Sequence, residues 1–159
     1  MFLCIAAAAF GQEFTFRGLP WGATVEEIIA KEGKPDSNIY GQLIYENKYV
    51  SGYRSNLFFY CSLPPTENSL EMGRYVIGIA NENAQAIYND LLDKLSTLYG
   101  NPTPKTKPEL NDTDKYNYWV VSKTLISLTL LIDANIRTEQ GTLIFIDYYS
   151  PQRNIYGDL

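Results

Sequence analysis

The sequence predicts an α+β fold in which two tandem α-β-β-β units pack their helices on one side of an antiparallel sheet. Two segments show the apolar period of an amphipathic helix, and several strand-like runs follow each of them. Both helices end in a Gly-x-Pro sequence, at residues 33–35 and 100–102. Gly73 and Gly141, each before the last strand of its half, repeat at nearly the same spacing. This order of elements indicates a duplicated unit.

The predicted boundaries assign residues 1–11 to a targeting segment, 12–80 to the first unit and 81–159 to the second, with both units in one domain. Residues 1–11 form an apolar run with Ala9 and Gly11 at the −3 and −1 positions of a cleavage site. The pattern predicts export to the periplasm or the extracellular space. The alternative is a buried first strand or helix.

The first unit begins with a short alternating strand at residues 14–17 and a turn at 18–22. The run from Thr24 to Glu27 is a capping box, in which a hydroxyl and a carboxylate each accept from a backbone N–H. It predicts a helix that starts after Thr24 and ends at Gly33. The strand-like runs that follow lie at 43–45, 49–50, 57–61 and 74–80, with a polar turn predicted at 46–48.

The second unit opens with the longer helix, whose apolar positions keep a helical period over about four turns. These positions are Ala84, Ile87, Tyr88, Leu91, Leu92, Leu95 and Leu98. Asn81 is predicted to cap the start of this helix, and Gly100 to end it. Strands are predicted at 116–121, 125–133 and 142–149. The middle strand alternates apolar residues on one face, which indicates a sheet with one buried side.

The composition excludes several classes of function. The 159 residues contain no histidine, which rules out histidine-dependent catalytic triads and histidine-ligated zinc sites. The net charge of −5, from 13 basic and 18 acidic residues, argues against a nucleic-acid partner. No apolar run long enough for a transmembrane helix follows residue 11. We predict neither a cofactor nor a metal, because residues 112–114 start like a calcium loop but Lys123 replaces its final glutamate.

Other reactive groups are predicted to be structural. Cys61 ends an aromatic strand run and fits a small core residue. Three carboxylate pairs fit solvated surfaces: Glu26 with Glu27, Glu67 with Glu71, and Asp90 with Asp93. A carboxylate-dependent enzyme that acts on glycans is kept as an alternative.

Tyrosine is present in excess, with 13 residues in the chain. Many tyrosines fall in strand runs, where they either reflect ordinary β-propensity or line a binding face. The leading hypothesis is a non-enzymatic binding module that contacts a protein or a cell-envelope component through a tyrosine-rich sheet face. The residues predicted to contact this partner are Trp21, Arg17, Tyr45, Tyr53, Tyr118 and Tyr148. A structural envelope protein that self-associates through a sheet edge is a further alternative.

Two of these residues also have structural interpretations. Trp21 lies in the turn before the first helix, where its ring either anchors a partner or closes the end of the core. Arg17 is placed to stack on that ring or to pair with a carboxylate.

Residues 21–28, Trp-Gly-Ala-Thr-Val-Glu-Glu-Ile, followed by Glu-Gly-Lys-Pro at 32–35, resemble the opening of SmpA/OmlA-type modules. That family includes the BamE-type outer-membrane assembly lipoproteins, and it shares a helix-plus-sheet unit with β-lactamase inhibitor protein. Residues 16–22 also resemble the opening of many exported bacterial proteins. The sequence departs from the family pattern at Glu32, where leucine is expected. The resemblance implies an exported, non-catalytic module that binds a protein.

Overall fold

The computed structural model describes residues 14–62, 68–104, 115–132 and 141–151. The predicted targeting segment and the calcium-like run at 112–114 lie outside these residues. Within them, neither helix is both long and apolar enough to cross a membrane, in agreement with the sequence prediction.

The chain starts with a two-stranded hairpin and a short helix. Strands β1 (Thr15–Phe16) and β2 (Leu19–Pro20) pair with each other, and helix α1 (Val25–Glu32) follows. The predicted capping box is confirmed. The backbone N–H of Glu27 donates to the Thr24 hydroxyl at 3.3 Å, and the backbone N–H of Thr24 donates to the Glu27 carboxylate at 2.8 Å. Gly33 ends the helix as predicted.

Seven further strands and one long helix follow. The strands are β3 (Ser37–Ile39), β4 (Gln42–Val50), β5 (Tyr53–Cys61), β6 (Leu70–Ile79), β7 (Lys115–Val121), β8 (Thr124–Ile132) and β9 (Thr142–Tyr149). Helix α2 (Asn81–Tyr99) lies between β6 and β7. Its N-cap position is Ala80, which has no side-chain hydrogen bond, so the predicted N-cap at Asn81 is wrong by one residue.

All seven strands form one antiparallel sheet in the order β3-β4-β5-β6-β9-β8-β7. The prediction of two tandem α-β-β-β units is therefore wrong. The described residues are mostly β, with 54% strand and two helices. Four strands follow α1 and three follow α2, and β6 pairs with β9 in the middle of the sheet. Gly-x-Pro sequences mark where helices end, but strand pairing across the whole chain decides how many units the sheet contains.

The predicted turn at residues 46–48 is also wrong, because β4 continues through it. The pairing of β4 with β5 changes register between Tyr45 and Lys48, so the extra residues form a β-bulge. Asn47 has a φ of 55°, a left-handed conformation that asparagine tolerates in turns and bulges alike.

Among the described residues, four hairpins have two-residue turns in which both residues have positive φ. They are Arg17-Gly18 (55° and 74°), Tyr40-Gly41 (49° and 77°), Ser51-Gly52 (51° and 91°) and Ser122-Lys123 (47° and 66°). Positive φ at both central residues is typical of the type I′ turn, whose twist matches that of paired strands. Three of these turns have glycine at the second position, and Lys123 is the exception.

The hydrophobic core lies between one face of the sheet and the two helices. Residues of α1 and α2, such as Ile28, Tyr88 and Leu91, share one buried cluster with inward side chains of every strand from β4 to β9. The opposite surface, which we name the open face, carries the alternate side chains of the strands. Its central members are Phe58, Tyr60, Met72, Arg74, Val76, Leu125, Ser127, Phe145, Asp147 and Tyr149.

The β1–β2 hairpin closes one end of this core through the aromatic ring of Phe16. The ring makes edge contacts with Phe59 and Tyr75, at centroid distances of 5.4 and 5.8 Å. It also lies directly against the backbone of Gly73, where an added Cβ would overlap the ring. Gly73 is therefore required for close approach, which explains a glycine in the interior of β6.

Candidate functional site

Strand register arranges the open face in rows that cross the sheet at right angles to the strands. The central row runs from β5 to β7 and consists of Phe58, Arg74, Asp147, Ser127 and Tyr118. One flanking row consists of Tyr60, Met72, Tyr149, Leu125 and Val120. The other consists of Asn56, Val76, Phe145, Thr129 and Tyr116. The rows are thus mainly apolar and aromatic, with an ion pair at their centre. Met72, Leu125, Ser127 and Asp147 are buried at 2–4% exposure, so the other members supply the accessible surface.

Arg74 and Asp147 form this ion pair through two parallel hydrogen bonds. Arg74 Nε donates to Asp147 Oδ1 at 2.6 Å, and Nη2 donates to Oδ2 at 2.9 Å. The hydroxyl of Tyr149 also donates to Oδ2, at 3.0 Å. The Asp147 side chain is only 5% exposed, whereas that of Arg74 is 28% exposed. Solvent therefore reaches the cation of this pair and hardly reaches the anion.

Aromatic rings surround the guanidinium of Arg74. Its central carbon lies 4.9 Å from the ring centroid of Phe145 and 5.9 Å from that of Tyr60. These distances are within the range of cation–π attraction. Phe58 stacks on Tyr60 at 6.2 Å, which extends the aromatic surface along β5.

Arg74, Tyr149 and Tyr116 keep their neutral-pH charge states. Burial alone would lower the pKa of Arg74, but the hydrogen bond and the charge of Asp147 raise it above its usual value. Burial raises the pKa of Tyr149, and the charge of Asp147 raises it further. Burial also raises the pKa of Tyr116 to about 12. These two tyrosines therefore act as hydroxyl groups, and neither is an ionised nucleophile at neutral pH.

Of the six residues predicted to contact a partner, only Tyr118 lies on the open face. Its ring stacks on that of Tyr116 at a centroid distance of 5.8 Å. Tyr45 and Tyr148 instead lie in the core on the helix side, with exposures of 2% and 8%. The hydroxyl of Tyr45 donates to the carbonyl of Gly33 at 2.9 Å. Burial removes these two tyrosines from any binding surface.

The other three predicted contact residues also lie on the helix side. The hydroxyl of Tyr53 donates to Asp90 on α2 at 2.7 Å. Trp21 Nε1 donates to the Thr124 hydroxyl at 2.8 Å, and its ring packs against the core, as the structural interpretation expected.

Arg17 pairs with a carboxylate, the second of its two structural interpretations. It donates to both carboxylate oxygens of Glu32, at 2.7 and 3.0 Å, and to the hydroxyl of Tyr75 at 3.0 Å. This pair ties the β1–β2 turn to the end of α1.

Sequence reasoning missed Arg74, Asp147, Phe58 and Phe145, which form the centre of the open face. A count of tyrosines does not show on which face of its strand each one lies. The available signal was a charged side chain in the middle of each of two apolar strand runs, Arg74 in β6 and Asp147 in β9. Assigning alternate residues of β6 and β9 to opposite faces puts Arg74 and Asp147 on the same side as Phe145.

The remaining reactive groups have structural surroundings. Cys61 is buried, and burial, with smaller contributions from Glu71 and Glu26, raises the pKa of its thiol to about 11. Asp90 accepts hydrogen bonds from Tyr53 and Lys94.

In the part of the chain that the structure describes, no three His, Cys, Asp or Glu side chains cluster closely enough to hold a metal ion. Glu67, one of the carboxylates predicted to lie on a solvated surface, is outside the described residues.

Comparisons of the chain with protein-family models, with curated proteins and with solved structures found no match. The resemblance of residues 21–35 to SmpA/OmlA-type modules therefore stays a prediction.

Proposed function

We propose that this chain is a non-enzymatic binding module of the bacterial cell envelope, and that its open face contacts a protein or another envelope component. The proposal rests on the central rows of the open face, where aromatic rings surround a partly exposed arginine. Tyrosine and arginine are enriched at the centres of protein interfaces, because each offers both apolar contact area and hydrogen bonds.

The sheet holds these side chains in fixed positions before any partner arrives. Phe58, Arg74 and Asp147 are direct cross-strand neighbours, and backbone hydrogen bonds on both sides fix their strands. Ring stacking further restricts Tyr116 and Tyr118. Such preorganisation reduces the entropy lost on association, so more of the contact energy contributes to affinity.

Export is supported by the sequence of residues 1–11, which has the apolar run and the small residues of a cleavable targeting segment. The SmpA/OmlA resemblance of residues 21–35 points to the same compartment. We therefore place the binding module in the periplasm or outside the cell.

The carboxylate-enzyme alternative has little support in the described residues. Glycan hydrolysis needs two carboxylates on opposite sides of a cleft. A surface depression of about 310 Å³ beside the start of α1 is lined by Gly22, Thr24, Glu26, Asn68 and Ser69, with a single carboxylate. At the centre of the open face, the one carboxylate, Asp147, is neutralised by Arg74.

Self-association through a sheet edge is also less well supported, because contacts occupy part of both edges. At one edge, the backbone N–H of Glu46 on β4 donates to the Asp36 carboxylate at 2.8 Å. At the other, the Tyr118 carbonyl of β7 accepts from the Thr103 N–H at 2.8 Å. Occupied edge groups are unavailable for pairing with a second sheet.

Site-specific photocrosslinking tests the proposal. A photoreactive phenylalanine analogue is placed at Phe58, Tyr60 or Tyr118 and, as a control, at Gln85 on the exposed surface of α2. Each variant is irradiated in envelope extract of the producing organism. We expect one partner band from the three open-face positions and none from Gln85. Crosslinks from Gln85 alone, or none from any position, would overturn the proposal.

A substitution experiment gives the matching loss of function. A triple variant carrying Tyr60→Ala, Tyr116→Ala and Tyr118→Ala should lose the crosslinked partner from position 58. The matched control is Tyr40→Ala, which removes a highly exposed tyrosine from the β3–β4 turn. Retention of the partner by the triple variant would contradict the assignment to the open face.

A further inference from the structure

The open face carries an excess of positive charge, although the chain as a whole carries a net charge of −5. On its four central strands, β5, β6, β9 and β8, the ladder places three charged side chains on this face: Arg54, Arg74 and Asp147. Asp147 is nearly inaccessible and is neutralised by Arg74. The accessible charges on these strands are therefore those of arginine.

Arg74 keeps hydrogen-bonding capacity beyond its pair with Asp147. A guanidinium has five N–H donors in a planar fork. One from Nε and one from Nη2 donate to Asp147. A further hydrogen bond joins the Arg74 side chain to the Tyr149 hydroxyl, which leaves two of the five N–H groups for another acceptor. These remaining N–H groups can donate to one further charged acceptor, such as a carboxylate.

The surroundings of the Arg74 guanidinium favour a ligand with an apolar group beside its charge. The rings of Phe145 and Tyr60 lie against the guanidinium, and Phe58 continues the aromatic surface. Cation–π contacts and the pair with Asp147 hold the guanidinium in place, so little side-chain entropy is lost when a ligand binds.

We propose that Arg74 receives a carboxylate from an acidic peptide segment of the partner, while a neighbouring apolar side chain of that segment lies on the rings of Tyr60 and Phe145. This inference rests on the proposed function and specifies the chemistry of its partner. Asp147 does not repel the incoming carboxylate strongly, because two N–H groups and the Tyr149 hydroxyl already bind its oxygens. The acidic remainder of the chain disfavours other orientations of an acidic partner, which adds specificity.

Three capped dipeptides of nearly equal size test the inference by NMR titration: acetyl-Phe-Glu-amide, acetyl-Phe-Gln-amide and acetyl-Phe-Lys-amide. The signals followed are the Nε–H of Arg74 and the ring protons of Tyr60 and Phe145. We expect the glutamate peptide to bind about tenfold more tightly than the glutamine peptide. This is the difference in affinity that one charge-assisted hydrogen-bonded pair supplies. The lysine peptide should bind most weakly.

Two variants separate recognition from folding. Arg74→Gln with Asp147→Asn removes both charges and keeps hydrogen-bonding groups on both strands, so it leaves no buried unpaired carboxylate. It should bind the glutamate and glutamine peptides equally. Arg54→Gln, on the same face but outside the three central rows, should keep the tenfold preference. Added salt should reduce that preference in the unsubstituted protein.

The outcomes distinguish this inference from the proposed function. Equal binding of the glutamate and glutamine peptides, with shifts at Tyr60 and Phe145, would overturn the carboxylate site and leave the binding face intact. No shifts with any peptide would overturn the carboxylate site, and the crosslinking experiment would then decide on the face separately. A glutamate preference that survives the double substitution would also overturn the inference.

Discussion

Arg74 and Asp147 are 73 residues apart in sequence and lie directly opposite each other on β6 and β9, the two strands that join the halves of the sheet. Two hydrogen bonds of 2.6 and 2.9 Å connect their side chains. The same pair therefore marks the register of the central ladder and holds the partly exposed guanidinium of Arg74 at the centre of the open face.

Loss of Arg74 alone should destabilise the fold, because it leaves the Asp147 carboxylate buried without its cation. We expect Arg74→Met to lower the free energy of unfolding by about 1–3 kcal/mol, less than for a fully buried pair because Arg74 is partly exposed. Combining it with Asp147→Leu should restore most of that loss. Urea denaturation of the three proteins measures this, with Arg54→Met as a surface control. An equal loss in the single and double variants would contradict the unpaired-charge explanation.

Gly73 and Phe16 should be strongly coupled. A methyl group at Gly73 would overlap the Phe16 ring, so Gly73→Ala should cost about 1–3 kcal/mol through overpacking. The same substitution should cost much less in a Phe16→Ala background, where the ring is absent. A double-mutant cycle of unfolding free energies checks the coupling. Additive effects would show that another contact requires the glycine.

Glycine at position 123 of the β7–β8 turn should make the protein more stable. Lys123 has a φ of 66° at the position where the other three two-residue turns have glycine. We expect Lys123→Gly to stabilise the protein by about 0.5–1 kcal/mol, because glycine adopts positive φ without steric cost.

The reciprocal substitution Gly52→Ala should destabilise the protein by a similar amount. Its Cβ would have no atom within 4 Å, so the cost is purely conformational. Melting temperatures of the two variants should move in opposite directions, and a shift of both in the same direction would contradict this account.

Stability should fall at alkaline pH because several tyrosines are buried. Burial raises the pKa of Tyr75 and raises that of Tyr148 well above its usual value. A raised folded-state pKa contributes stability that is complete below the unfolded pKa of about 10 and is lost as pH rises through the folded pKa. The free energy of unfolding should therefore decline above about pH 10, as measured by urea denaturation between pH 8 and 12.

Substitution of Tyr116 tests how much a single buried tyrosine contributes to this loss of stability at alkaline pH. Its pKa of about 12 means that the unfolded chain releases this proton first. Tyr116→Phe should make the decline between pH 10 and 12 less steep, by at most about 1.4 kcal/mol per pH unit. An unchanged slope would show that the Tyr116 hydroxyl does not titrate differently in the two states.

Local elements could be predicted from the sequence, and the composition of the open face could not. The capping box at Thr24, the helix end at Gly33 and the apolar period of α2 all describe interactions within a few residues. Tyr45, Tyr118 and Tyr148 look equivalent in sequence, since each lies in an aromatic strand run. Only the strand register shows which of them lie in the core and which lies on the open face, because a shift of one residue moves a side chain to the opposite face of the sheet.

The sequence by itself determined the two helices, most of the strands, the absence of histidine chemistry and an acidic net charge. These properties depend on composition or on hydrogen bonds between residues close in the chain. The tertiary structure alone decided that β6 pairs with β9, that one sheet replaces two repeated units, and that Arg74 and Asp147 meet at the centre of the open face. Such pairings join residues far apart in sequence, and they depend on the relative free energies of competing strand registers, which no local pattern encodes.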